Sequence, residues 1–284
     1  MNILSPPILL SLFIGITIVI AFSSQKSIYN PSSSILVFTV ITLLIFVPLQ
    51  YISCGDKFKK NMIFVIYLLS NIVIQFLINL GITRTMCGNN NWGLALMTTL
   101  FPWMLIFGLL FLLLIVFKGW LVPFSNTFGY LTTKLLGSEQ LLKDILKDKI
   151  SEQSVGNSKE LAKFISDSIS DPSLIINQFD SDSVKFNELW NVMKKGGLFK
   201  NTVTQDMKDR LYHFVCLKDI ISESLWYLLT GILTITASSN YILSKGCNRD
   251  VKQMQERHAD FEKRIEKERK ASKDEKPRTY YITD

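Results

Sequence analysis

Three amides at helical spacing are the first residues in this chain whose types could do chemistry. Asn71, Gln75 and Asn79 stand at i, i+4 and i+8 in an otherwise apolar run. That spacing puts them on one helix face. Lipid penalises such a face, so it must meet other helices or a water-filled cavity. A polar pathway is one reading. Hydrogen bonding between helices, at about 0.6–2 kcal/mol per contact, is the other and the preferred one. Thr230, Thr234 and Ser238 repeat the spacing later in the chain and are natural partners. Gly231 among them would allow close approach.

No catalytic constellation accompanies the amides. His213 and His258 have no carboxylate, serine or cysteine at a recognisable catalytic spacing. His213 falls in an apolar-patterned helix and reads as a packing residue. There is no HExxH, GxSxG or phosphate-binding glycine loop. Ionisable groups are missing from the centres of the apolar runs, which counts against an ion carrier. Glu223 sits at the start of the last run, where it can reach headgroups. The chain reads as a non-enzyme, with no cofactor, no metal and no small-molecule substrate.

Four cysteines remain: Cys54, Cys87, Cys216 and Cys247. They are too scattered for a zinc site. The order of apolar runs sorts them into two same-side pairs. Cys54 and Cys216 fall on one side, Cys87 and Cys247 on the other. Cys87 and Cys247 flank two apolar runs, so a Cys87–Cys247 bridge is the pairing singled out, against four free thiols. Spacing alone does not establish connectivity.

The elements that position these residues are apolar helices. A spanning helix needs about 20 mostly apolar residues. Five runs approach this, at about 4–22, 34–52, 62–82, 94–117 and 220–243. They are continuous rather than alternating, which disfavours a membrane barrel. Within lipid the backbone must satisfy itself, so they are helices. The first run resembles a signal-peptide core, with Ala21-Phe22-Ser23 as a cleavage-like site. No basic residue precedes it, so a retained helix is preferred. The expected fold is all-α: about five transmembrane helices, a small helical soluble domain and a charged C-terminal helix. The expected division is 1–130 for the membrane region, 131–219 for the domain, 220–244 for the fifth span and 245–284 for the tail.

The domain is read from caps and apolar faces. Ser138 would cap a helix bearing Leu141, Leu142, Ile145, Leu146 and Ile150. Asn157 with Glu160 marks a second start. Asp171-Pro172 marks a third, with proline at the first helical position. Phe186, Leu189, Trp190 and Met193 share one face that Gly196-Gly197 ends. A last helix from about Gln205 runs on into the fifth span. In the tail, Val251, Met254, His258, Phe261 and Ile265 follow a two-heptad spacing.

Charge follows this layout. The 284 residues carry a net charge of +7. Residues 118–219 hold 14 basic and 13 acidic side chains, and residues 245–284 hold 12 and 9. No block is basic enough for nucleic acid to be the main partner. The lysines of loop 53–61 and those of the tail fall on opposite sides and vote against each other. Short early loops usually dominate, which favours a cytosolic domain. No usable Asn-x-Ser/Thr sequon exists, since Pro31 disables the one at Asn30.

The densest local pattern runs from Cys87 through Phe101-Pro102-Trp103 and Gly119-Trp120 to Pro123-Phe124-Ser125-Asn126-Thr127-Phe128-Gly129-Tyr130. Pro102 should kink its helix. Trp92 and Trp120 bracket the fourth run at its two interfaces. Pro123, Asn126 and Gly129 favour an ordered turn over a continuing helix. Phe124, Phe128 and Tyr130 would press that turn into the interface. This stretch resembles a membrane protein shared by large double-stranded DNA viruses of the phycodnavirus and mimivirus kind. The resemblance covers about 45 of the 284 residues, and neither the 131–219 domain nor the tail matches the pattern. It implies a virion component in the membrane beneath the capsid, with capsid or minor capsid proteins as partners beside the bilayer. A channel or transporter using the Asn71/Gln75/Asn79 face is the alternative.

Overall fold

The computed structural model describes residue 15 and residues 31–87, 91–147, 171–245 and 251–274. Among these the chain is all-helical with no strand, and one isolated bridge joins Leu146 to Phe199. The 4–22 run and the Asn157 start lie outside the described residues.

Among the described residues, four helices are long and apolar enough to cross a membrane. We label them with the rest in chain order. α1 covers 31–52 and widens into a π-helical turn at Thr42–Phe46, just before Pro48. α2 is Lys57–Cys87. α3 covers 92–116, with a π-helical turn at Trp103–Gly108 directly after Pro102. α4 covers 118–135, α5 is Ser138–Ile145, α6 is Pro172–Ile176 and α7 is Ser183–Lys195. α8 is the 41-residue helix Gln205–Lys245, and α9 is the tail helix Val251–Asp274.

The expected direct run of one helix from Gln205 into the last apolar segment is therefore present. α8 is the axis of the molecule. Its second half packs with α1, α2 and α3 around Phe38, Phe46, Tyr67, Trp103, Phe107 and Tyr227. Phe46 stacks on Tyr67 at 4.3 Å between centroids, and the Thr42 and Tyr67 hydroxyls share a hydrogen bond of 2.7 Å. Leu44, Leu69, Met97, Phe101 and Leu112 point outward and are exposed. An outer surface of this kind is at home in hydrocarbon and is aggregation-prone in water.

The first half of α8 carries the second core. Leu211 and Val215 pack against Leu142, Ile145, Ile176, Phe186 and Trp190. Phe186 and Trp190 lie on the face that their spacing predicts. Asp171 caps α6 as expected, accepting from the Ser173 amide at 2.9 Å. Gly197, at φ +70, closes α7 beyond Gly196. Ser138 is not the cap. Gly137 takes that position at φ +95, and Ser138 is buried inside the first turn. The left-handed backbone needed there favours glycine, since side chains with a Cβ rarely adopt it. His213 is exposed on α8, with its ring 5.8 Å from that of Tyr51, rather than packed in a core.

The two halves are tied at their junction. Asp56 caps α2 through the Lys59 amide, and Lys57 beside it donates to Asp182, which in turn caps α7. The Lys57 ammonium and the Val184 amide hold the Asp182 carboxyl below the usual carboxylate range. A depressed folded-state value stabilises above the unfolded value, about 3.9, and the contribution is lost as pH falls through the folded value. The α2–α7 tie should therefore loosen below about pH 4. Thermal melts at neutral and acidic pH should show this, with Asp182→Asn flattening the difference. An unchanged pH dependence in that variant would rule the tie out as its source.

Candidate functional site

The amide face of α2 is fully buried, with Asn71, Gln75 and Asn79 at 2, 3 and 0% exposure. Each amide has partners within the bundle. Asn71 donates to the Tyr67 carbonyl at 2.8 Å. Gln75 accepts from Ser34 of α1 at 2.6 Å and donates to Asn79 at 3.0 Å. Asn79 donates to Thr99 of α3 at 2.8 Å and to Ser238 of α8 at 2.9 Å. All four apolar helices thus meet through one ladder of short bonds.

Pro102 belongs to the same junction. It has no N–H to give the Thr98 carbonyl one turn back. Ser238 donates to that carbonyl instead, at 2.7 Å. The helix continues through the proline by widening into the π-helical turn rather than by breaking. Ser238 is the one member of the α8 stripe bonded to α2. Thr230 and Thr234 return their hydroxyls to α8's own carbonyls. The stripe expected to pair along its length therefore pairs at one end. Gly231 does mediate close approach, since a Cβ there would lie 2.1 Å from Phe38 of α1.

The 118–130 motif is not the non-helical turn expected from Pro123, Asn126 and Gly129. It forms a short 3-10 stretch, one α turn over Val122–Phe124, a π-helical turn over Ser125–Gly129, and then α-helix again. Pro123 sits in the first turn of its segment, where a missing N–H is tolerated. Gly129 serves contact, not termination. A Cβ at Gly129 would fall 2.4 Å from the Lys218 carbonyl of α8. Ser125 donates to Asp219 at 3.1 Å, so the buried face of the π turn rides directly on α8. Phe128 faces outward, and Trp120 stacks on Phe117 at 5.6 Å. Phe124 meets Trp226 edge-on. Tyr130 turns inward, packs on the domain core and donates to Glu139. The aromatic anchoring is thus divided: Trp120 and Phe128 outward, Phe124 and Tyr130 inward. Thr127 bonds the Pro123 carbonyl, Asn126 borders a cleft, and Trp103 is buried in the bundle.

Gly129→Ala should cost about 1–3 kcal/mol, because the backbone it meets cannot move without separating α4 from α8. Gly119→Ala, with open space around its Cβ, is the matched control. Equal melting temperatures for the two variants would contradict this packing.

The disulfide differs from the pair singled out by sequence. Cys54, in the turn between α1 and α2, is bonded to Cys216 of α8, with a Cα–Cα distance of 6.1 Å. The two residues are 162 positions apart. Gly55, at φ +88 beside Tyr212, makes the tight turn that presents Cys54. Cys216 is fully buried. The Cys87–Cys247 pairing lies outside the described residues, since Cys247 and the Cys87 side chain fall there. No group of three or more His, Cys, Asp or Glu side chains suited to a metal occurs among the described residues.

The geometry as a whole is a helical bundle closed by internal polar bonds, a helical domain grown on the extension of one of its helices, and a covalent tie between them. No protein-family model, curated protein or solved structure matches the chain.

Proposed function

We propose that this chain is a structural membrane anchor, not a conduit or an enzyme, and that it works as a virion component between the internal membrane of a large DNA virus and its capsid or minor capsid layer. The observation that carries the anchor reading is the amide ladder. Gln75 and Asn79 bond to each other and to Ser34, Thr99 and Ser238 of the neighbouring helices, and Asn71 bonds back to the Tyr67 carbonyl of its own helix. A transport path needs polar groups free to exchange partners with its cargo. The virion setting rests on the resemblance carried by Pro102-Trp103, Gly119-Trp120 and the 123–130 string.

An anchor of this kind acts by rigidity. α8 is continuous from the domain core through the bundle, so load on the domain passes along one helix without a hinge. Lys57–Asp182 and Cys54–Cys216 brace the junction. The exposed Phe261 and Ile265 of α9 offer an apolar seam to a partner on the opposite face. The disulfide also bears on orientation. Disulfides persist in oxidising compartments, which favours an oxidising environment for the domain side. The basic tail then lies on the cytosolic side, the reverse of what loop 53–61 suggests.

The test is quantitative proteomics on purified particles, with and without detergent stripping. Abundance in particles and release with the membrane fraction support the virion anchor. Absence from particles overturns the virion setting. Selective ion flux through reconstituted protein overturns the anchor.

A further inference from the structure

A cleft of about 1370 Å³ lies at the junction of bundle and domain. Its lower wall is apolar, built by Phe111, Leu114 and Ile115 of α3. Its upper wall is polar, built by the 177–185 segment and the start of α2. The 125–129 π turn and α8 close its back. The cleft therefore grades from hydrocarbon-like to water-like across the level where three apolar helices begin or end.

Lys218 lines this cleft, yet its side chain is only 3% exposed. Its ammonium has no hydrogen bond to any described residue. The nearest carboxylate, Asp219, is 3.9 Å away, at the limit of an ion pair. Both Asp219 oxygens already accept other bonds, from the Ser125 hydroxyl at 3.1 Å and the Ser181 amide at 3.3 Å. A buried ammonium without acceptors is costly. The packing nevertheless holds it there, because Gly129 lies against its stem and its carbonyl.

The other charges of the cleft are largely matched. Lys57 pairs with Asp182 and Lys185 with Asp180. Glu223 and Asp56 also line the cleft, and Asp56 pairs with Lys59 at 3.3 Å. Lys118, at the start of α4, is exposed at the rim and faces no carboxylate within ion-pair distance among the described residues. The lining thus carries five lysines and five carboxylates, and within it Lys218, which has no hydrogen bond and only the long contact to Asp219, and the exposed Lys118 are the ammonium groups left able to take an anionic ligand, directly above an apolar wall.

We propose that this cleft binds an anionic phospholipid, its phosphate on the Lys218 ammonium with Lys118 at the rim, and its acyl chains along Phe111, Leu114 and Ile115. The acyl chains continue the lipid-facing surface of α3, and the phosphate lies where anionic headgroups attract lysine. A free phosphate would satisfy Lys218 but leave the apolar wall bare. The proposal needs only that the helices lie in a bilayer; it stands or falls apart from the virion setting.

The experiment is native mass spectrometry of the full chain released from nanodiscs, with thermal melts in parallel. The lipids are phosphatidylcholine alone or mixed with phosphatidylglycerol, and a third arm adds inorganic phosphate in detergent. Wild type should retain phosphatidylglycerol and melt higher with it. Lys218→Met should retain about tenfold less, while Lys194→Met, on α7 outside the cleft, should behave as wild type. Lys218→Met should also melt no lower than wild type in lipid-free detergent, since it relieves a buried charge. Equal retention of the two lipids by wild type overturns the proposal. So does a phosphate-induced shift as large as that from phosphatidylglycerol, which would assign the site to a soluble anion. If Lys218→Met does not fold, Lys118→Met gives the decision: reduced retention supports the site, and unchanged retention overturns it.

Discussion

Cys54→Ser is expected to destabilise the protein by about 2–4 kcal/mol, with a matching loss under reductant in the wild type and none in the variant. The bridge closes a loop of 162 residues, for which chain entropy alone would allow about 5 kcal/mol. The lower figure is expected because a bilayer already confines the unfolded helices. Cys54 is the position to change, since it is only half-buried while Cys216 is fully enclosed. The loss should fall on the docking of α2's start against α8, and amide exchange should quicken around Tyr212 and Asp182 before it does in the bundle. A melt insensitive to both reductant and substitution would mean that Cys54 and Cys216 are unbonded in the folded protein. The oxidising-side assignment of the domain would fall with it.

Asn79→Leu is the second large effect. Asn79 joins three helices through bonds to Gln75, Thr99 and Ser238. Two of these bonds cross to other helices, and at about 0.6–2 kcal/mol each they predict a loss of about 1–4 kcal/mol. The leucine also adds branched bulk at a site with no exposure. Ser238 would keep its bond to the Thr98 carbonyl freed by Pro102, so α3 and α8 should stay associated while α2 loosens. Thr230→Val is the comparison, because Thr230 bonds only to carbonyls of its own helix. It should change the melt far less. In detergent, Asn79→Leu should lower the melting temperature and broaden the size-exclusion peak. If the amides form a transport path instead, the variant would block flux with its melt unchanged.

Local chemistry was legible without the fold. The apolar runs from 34 to 117 and from 220 to 243 announced helices, because length and the absence of charge leave the backbone no other solution. Asp171-Pro172 announced a helix start, and Phe186 with Trp190 announced a buried face. Each of these depends on residues within a turn or two of one another. The face of α2 carrying Asn71, Gln75 and Asn79 was equally legible. What that face bonds to was not, since Asn79 and Ser238 are 159 residues apart.

Tertiary structure decided every choice that turned on distance. Cys54 and Cys216 met because Gly55 turns the chain beneath α8, and no spacing encodes that. Gly129 looked like a helix terminator and became a contact surface. Its missing Cβ matters only where the Lys218 backbone lies against it. Pro102 announced a kink, and the helix passes it by a π-helical turn, with Ser238 of α8 supplying the hydrogen bond that proline withholds. Nothing in the sequence around Lys218 sets it apart. Only the packing of the 125–129 turn and the domain around it made it a buried ammonium. Periodicity and composition determined which elements this protein has, since those are short-range properties of the chain. Which groups face one another was settled by helix packing, where displacements of an ångström decide between contact and clash.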